Sequence, residues 1–381
     1  MPFAAVERPS IGLGTLQACL EREGLAAEVI YANLRFAERI GLKRYKLVEF
    51  TPTDVFLGEW AFAAAAFPDF HPDMDAYFRE ADLDVMEAIF GPRSQLRPLF
   101  EALRQETPSF IEELVQELLA KKPRIVGVSS TFQQHCASLA LLRRLKELQP
   151  DLITVMGGAN CEGPMGMATH REFPWVDYVV SGEADELVGQ LFRSLLQGPD
   201  EVFPSSVLTP AQRGQAPGRG AVQHLDQVPT PNYDDYFVEL ERLEVGKRIE
   251  PGLLVESSRG CWWGALHHCT FCGLNGTGMG YRSKSAERAL DDFSQLQQRY
   301  GSNRFEVVDN ILDMRYFQTV LPYLEERKLN LFYETKANLK REHVAQLARA
   351  GVRWIQPGIE SMHDEILRHI EKGSTALTNV Q

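Results

Sequence analysis

Apolar positions along this chain follow two rhythms, and the rhythm changes several times. Between residues 10 and 24 a stripe at Leu13, Leu16 and Leu20 predicts a helix ending at Gly24, and AEVIYA (27–32) predicts a strand behind it. A helix followed by a strand in an α/β chain implies an earlier strand, for which only MPFAAVERP is present, so the chain is expected to open within an element. Residues 35–120 read as a helical insertion rich in Phe, Ala and Glu, clearest at EAIFG (87–91) and PSFIEELVQELLAKK (108–122). PRIVGVSS (123–130) is a continuous apolar run of the buried parallel kind. A helix at 138–150, strands at 152–158 and 175–183 and a helix at 184–196 follow, which together predict a doubly wound, Rossmann-like α/β domain over 1–196.

Residues 197–250 are rich in Pro, Gly and Gln and read as a linker wrapping between domains. A second series starts at GLLVESSRGC (252–261) and continues with strands at RFEVVDN (304–310), LNLFYETKA (329–337) and VRWIQPGIES (352–361), each separated by a helical pattern. That is the grammar of a (β/α) barrel. Four strands cannot close one, so 251–381 is expected to be a partial barrel, truncated at its C-terminal end.

Composition changes this picture little. The 381 residues are 44% hydrophobic and 24% charged, ordinary for a soluble chain of two domains. The net charge of −12 argues against a nucleic-acid-binding surface, which needs clustered Lys and Arg. No run approaches bilayer length, and the first residues carry neither a basic leader nor an apolar signal core, so the prediction is a cytoplasmic protein without a membrane partner. Six cysteines in this length do not make a disulfide framework. Cys19, Cys136 and Cys161 sit among apolar or small neighbours and read as packing residues.

The other three cysteines lie together in RGCWWGALHHCTFCGLN (259–275), as C-x7-C-x2-C at Cys261, Cys269 and Cys272. With His267 or His268 they could complete a tetrahedral zinc site. Alternatively, three thiolates could hold an iron–sulfur cluster with one iron left open. Their position, directly after the first barrel strand, favours the cluster, because loops at that face of a barrel carry chemistry. Trp262, Trp263 and Phe271 would shield such a cluster, or simply pack.

This array resembles that of the radical S-adenosylmethionine (SAM) superfamily, although seven residues stand where the usual spacing has three. The longer spacing, CWWG before it and CGLNG after it are similar to the cobalamin-dependent branch that matures ribosomally made peptides, several members being C-methyltransferases. The likeness extends to RPSIGLG, YANLRFAERIG, FLGEWAFA, VPTPNYDDYF and YRSKS, nearly the whole chain. It implies a 4Fe–4S cluster on Cys261, Cys269 and Cys272. The open iron would chelate SAM, and reduction by a donor such as flavodoxin or ferredoxin would release a 5′-deoxyadenosyl radical. It places the Phe271 backbone beside the adenine and Asp309 and Asn310 at the SAM amino group, where Gly-Gly-Glu is commoner. Glu334, Lys336, Glu360 and Ser361 end strands three and four and would face the cavity, with Glu360 at the ribose; a barrel-mouth salt bridge is the competing role for Lys336 and Glu360.

The same resemblance makes the first domain a cobalamin-binding fold. Ser129, Ser130 and Thr131 would admit the nucleotide tail, Gly157, Gly158 and Ala159 would let backbone approach it, and Gly182 and Glu183 form a third edge. AVERPSIGLG has no histidine to ligate cobalt from below, and His135 is the competing candidate. The implied function is radical C-methylation of unactivated carbons in a precursor peptide. A cobalamin-dependent cyclase or rearrangement enzyme and a non-catalytic cobalamin- or metal-binding fragment are the alternatives.

Overall fold

The structure is a computed structural model and describes residues 1–81, 83–198, 202–273 and 280–381. Two compact units divide the chain: Met1–Val6, Gly12–Ala221 and Asn232–Ile249 form the first, and Glu7–Ile11, Val222–Pro231 and Glu250–Gln381 the second.

In the first unit β1 (Ile125–Ser129), β2 (Ile153–Gly157), β3 (Tyr178–Val180) and β4 (Val207–Leu208) make a sheet in the order β1-β2-β3-β4. The first three are parallel and β4 is antiparallel to β3. Side chains alternate across a strand, so each face builds its own core. Val126, Met156 and Val179 pack with Leu139, Leu142 and Leu145 of helix His135–Leu148. Val155, Tyr178 and Val180 pack with Leu191 and Leu195 of helix Val188–Gln197. Six helices lie between Ala32 and Ala120, and two of them, Leu57–Ala66 and Arg93–Ala120, pack on His135–Leu148. Phe3, Phe36, Tyr45, Phe62 and Phe110 knot this layer together, with ring centroids 4.7–6.4 Å apart.

Two expectations are corrected here. AEVIYA is not a strand, because the Val29 N–H donates to the Asp235 carboxylate at 2.7 Å and Tyr31 leads into helix Ala32–Ile40. Without that strand the described sheet runs in sequence order, with no reversal, although both faces are covered. Nor is 197–250 a plain linker. It supplies β4, a bridge between Gly182 and Gly220, and helix Asp234–Arg242, whose Glu239 pairs with Arg35 at 2.8 Å.

In the second unit β5 (Leu253–Val255) leads to β6 (Ser258–Arg259), which pairs antiparallel with β7 (Arg282–Ser283). Then β8 (Arg304–Val307), β9 (Asn330–Lys336) and β10 (Val352–Gly358) complete a parallel sheet in the order β10-β9-β8-β5. One face, Leu253, Val255, Phe305, Val307, Leu331 and Tyr333, is fully buried. Phe293 of helix Ala286–Tyr300 meets it edge-on, 5.4 Å from Phe305. That helix starts with the Ser285 hydroxyl accepting from Arg288 N–H and ends at Gly301 in the left-handed region. The other face carries Leu254, Glu306, Phe332 and Trp354 in one row and Glu334 beside Gln356. It is open, with Trp354 60% exposed.

Candidate cluster and nucleotide sites

The loop after β5 carries the cysteines, and Asp309 fixes where it starts. Asp309 lies in phase with Phe305 and Val307, so its side chain is on the buried, helix-facing side. One carboxylate oxygen accepts from Ser257 N–H and Ser258 N–H at 2.7 and 2.9 Å, and the other from the Ser257 hydroxyl at 2.5 Å. Burial pushes its pKa up to about 6, against the hydrogen bonds that pull it down. The carboxylate expected at the SAM amino group is therefore already spent on anchoring the loop. Asn310 follows, half-buried in the loop after β8.

Cys261, Cys269 and Cys272 are all free thiols, with Cys269 buried. Gly264 N–H donates to Cys261 Sγ at 3.3 Å, and Cys272 N–H to the Cys269 carbonyl at 3.0 Å. Burial raises the Cys269 thiol, Lys372 and Lys336 pull it down, and Cys261 and Cys272 push it up. Among the described residues no three Cys, His, Asp or Glu groups converge as one metal ion would need. His267 lies against the Trp263 ring at 4.6 Å, and His268 Nε2 is 3.1 Å from the Cys272 carbonyl. A cluster takes one thiolate at each of three separate irons, and the donor set fits that demand. The part of CGLNG beyond Gly273 lies outside the described residues.

Glu334 and Lys336 lie on the same side of β9 as Phe332, one strand period apart, Glu334 half-buried and Lys336 buried. Burial raises the Glu334 carboxyl. Lys336 Nζ stands 3.4 Å over the Trp263 ring and donates to the Lys372 carbonyl at 2.5 Å. Burial and Lys372 lower its pKa to about 8, while Cys269 and Cys261 pull it back up. Glu360, at φ +61°, pairs with Lys372 at 2.9 Å, the salt-bridge role weighed above. Ser361 Oγ accepts from His363 N–H, and the half-exposed Phe271 ring lies 5.6 Å from Lys372 Nζ. Sequence reasoning missed the turn Ile370–Gly373, which supplies Lys372; its one signal was a glycine following the short helix Asp364–His369.

In the first unit the expected cobalamin residues come together at the C-terminal ends of β1, β2 and β3. Ser130 N–H donates to the Gly157 carbonyl at 2.8 Å, and Asn160 returns N–H and side-chain bonds to Ser130 at 3.1 and 3.0 Å. Gly158 has φ +95°, and a Cβ there would lie 2.6 Å from the Ser130 carbonyl. Thr131 caps with Gln134, Ser129 is half-buried and Ala159 exposed. Glu183 N–H donates to Gly220, whose own N–H donates to Ser181, which fixes the Gly182 edge. His135 has both ring nitrogens beside hydroxyls, Nδ1 3.2 Å from Ser130 Oγ and Nε2 3.3 Å from Thr169 Oγ1, and burial lowers its pKa. It is placed as a link between the loop after β1 and helix Pro164–Glu172.

The three-thiol loop after the first strand of the second parallel sheet lies in residues 255–377, which match the model of the Radical SAM superfamily. The chain is 26% identical over 303 residues to the uncharacterized methyltransferase PH0819 of Pyrococcus horikoshii, covering 75% of this chain and 64% of that one. It is 23% identical over 316 residues to an anaerobic magnesium-protoporphyrin IX monomethyl ester cyclase of Synechocystis sp., covering 78% and 57%. Its fold is similar to that of the radical SAM methyltransferase TsrM from Kitasatospora setae, solved with cobalamin and a [4Fe–4S] cluster bound, with a TM-score of 0.56 and 17% identity over 97% of this chain and 61% of TsrM. The chain thus spans less than two thirds of the length of each. No helix of the described residues is long and apolar enough to cross a membrane.

Proposed function

We propose that this chain is the cobalamin-binding and radical SAM part of an enzyme that transfers a methyl group from SAM to an unactivated carbon of a ribosomally made peptide. The observation that carries this reading is the set of three free thiols on the loop after β5, inside the segment that matches the Radical SAM superfamily. The likeness to a methyltransferase supports methyl transfer as the reaction. When bound, the cluster, SAM and cobalamin would supply one-electron chemistry and a transferable methyl group. The chain's part is to present Cys261, Cys269 and Cys272 as thiolates, to anchor their loop through Asp309, and to face the cavity with Glu334 and Lys336. The rim of Ser129, Ser130, Thr131, Gly157, Gly158, Ala159, Gly182 and Glu183 would hold the corrinoid. The peptide and a cytoplasmic flavodoxin or ferredoxin are the partners this chemistry needs.

Oxygen-free reconstitution tests the reading. The expected product binds iron, sulfide and cobalamin, and moves a labelled methyl group from SAM into a peptide substrate. Protein that takes up zinc and no iron would refute it. The similarity to anaerobic cyclases favours a second reading, in which the same cofactors drive ring closure. Loaded enzyme that converts substrate without incorporating the label would select that one.

A further inference from the structure

The turn Ile370–Gly373 is not part of the cysteine motif, yet it spends its backbone on it. The Ile370 carbonyl accepts from Thr270 N–H at 3.2 Å. The Glu371 carbonyl accepts from Trp263 Nε1 at 3.1 Å, with Cys269 Sγ 3.9 Å away. The Lys372 carbonyl takes the Lys336 ammonium. Two consecutive carbonyls thus bond the cysteine loop and the third bonds Lys336 of β9, and the backbone that presents them is unusual. Glu371 sits at φ +55° and Gly373 at φ +65°. A Cβ on Gly373 would lie 2.0 Å from the Trp263 ring, so only glycine lets the indole lie flat on the turn. The strain at Glu371 is of the kind that persists where surroundings over-determine it.

The turn also delivers charge. Lys372 Nζ lies 5.6 Å from the ring of Phe271, the residue before Cys272, and Lys336 Nζ lies 3.4 Å over the ring of Trp263 on the same loop. The groups facing them are Glu360, which pairs with Lys372 at 2.9 Å, and the aromatic faces of Trp263 and Phe271. A cluster on three thiolates becomes more negative when it gains an electron, so fixed cations beside it favour the reduced state.

Resting on the radical SAM reading above, we propose that Ile370–Gly373 is a clasp: it holds the Cys261–Cys272 loop in its ligating shape and, with Lys336, sets the reduction potential of the cluster through two cations. Its residues are positioning residues, since none ligates iron.

The test uses the full chain, reconstituted without oxygen and without SAM, so that nucleotide binding does not enter. Wild type is expected to load about four irons. Gly373→Ala and the milder Trp263→Phe should load less than half of that while keeping wild-type circular dichroism. Lys372→Met and Lys336→Met should load fully but show a midpoint potential shifted to more negative values, restored in Lys372→Arg. Glu360→Gln, which frees Lys372, should shift it the other way. Full iron loading in both Gly373→Ala and Trp263→Phe, or an unmoved potential in Lys372→Met, overturns the clasp. If wild type itself takes up no iron, the radical SAM reading has failed, which is a different result.

Discussion

A carboxylate that accepts three hydrogen bonds is ordinarily held well below its usual pKa, but Asp309 departs from that pattern because desolvation outweighs its donors. Its folded value, pushed up to about 6, lies above the ordinary aspartate value of about 3.9. The folded protein then holds this proton more tightly than the unfolded chain does. The stability so gained is fully present below about pH 4 and is lost as pH rises through about 6. Asp309→Asn keeps the oxygen that serves Ser257 and Ser258 N–H and turns an amide toward the Ser257 hydroxyl. Its urea midpoint should therefore vary less between pH 4 and pH 6 than that of wild type. Asp309→Ala instead strands three buried donors, at roughly 1 kcal/mol or more each, so a loss of about 3 kcal/mol is expected. A midpoint as steep in Asn as in wild type would rule out Asp309 as the titrating group.

Helix His135–Leu148 shows what one element owes to another. Its N-cap residue, Gln134, makes no side-chain cap bond, and the cap comes instead from Glu59 on helix Leu57–Ala66, whose carboxylate accepts from His135 N–H at 2.7 Å and Cys136 N–H at 2.6 Å. Burial raises the Glu59 carboxyl even so. Glu59→Ala removes both acceptors and should cost about 1–2 kcal/mol, read as a lower thermal midpoint. The same long reach explains what the sequence could and could not show. β1, β2 and all four strands of the second sheet were legible, because buried parallel strands announce themselves as short apolar runs. The cysteines were legible because their spacing is local. AEVIYA has a strand's composition, but the partner that claims Val29 is Asp235, some two hundred residues away. Asp309 was misplaced although the alternation with Phe305 and Val307 was there to read, while Glu334 and Lys336 fall in phase with the open face. The turn at 370–373 was invisible, since its contacts lie about a hundred residues upstream.

At the scale of the whole chain, the two units are interleaved, and composition did not reveal it. Residues 7–11 and 222–231 carry no apolar period, yet the second unit is built on them. Gly252 N–H donates to the Glu7 carbonyl at 2.9 Å, and Arg8 pairs with Glu306 at 2.7 Å. Asp226 accepts from Ser285 N–H at 2.7 Å, at the start of helix Ala286–Tyr300. Thr230 donates to Asp292 at 2.6 Å, and Asp292 is fully buried with Lys284 and Arg288 as its counter-charges. Val222, Leu225 and Val228 add a small apolar cluster of their own. A cut at residue 250, where the sequence pattern places a domain boundary, would leave a buried ion cluster short of a partner and the Ser285 N–H without its Asp226 acceptor. Residues 250–381 expressed alone should therefore be poorly soluble and show no cooperative unfolding by circular dichroism. Residues 222–381 regain the Asp226, Val228 and Thr230 contacts and should recover part of both. The two fragments differ by residues 222–249, of which the strap 222–231 carries these contacts, and equal, cooperative folding of both would show that the strap contributes nothing.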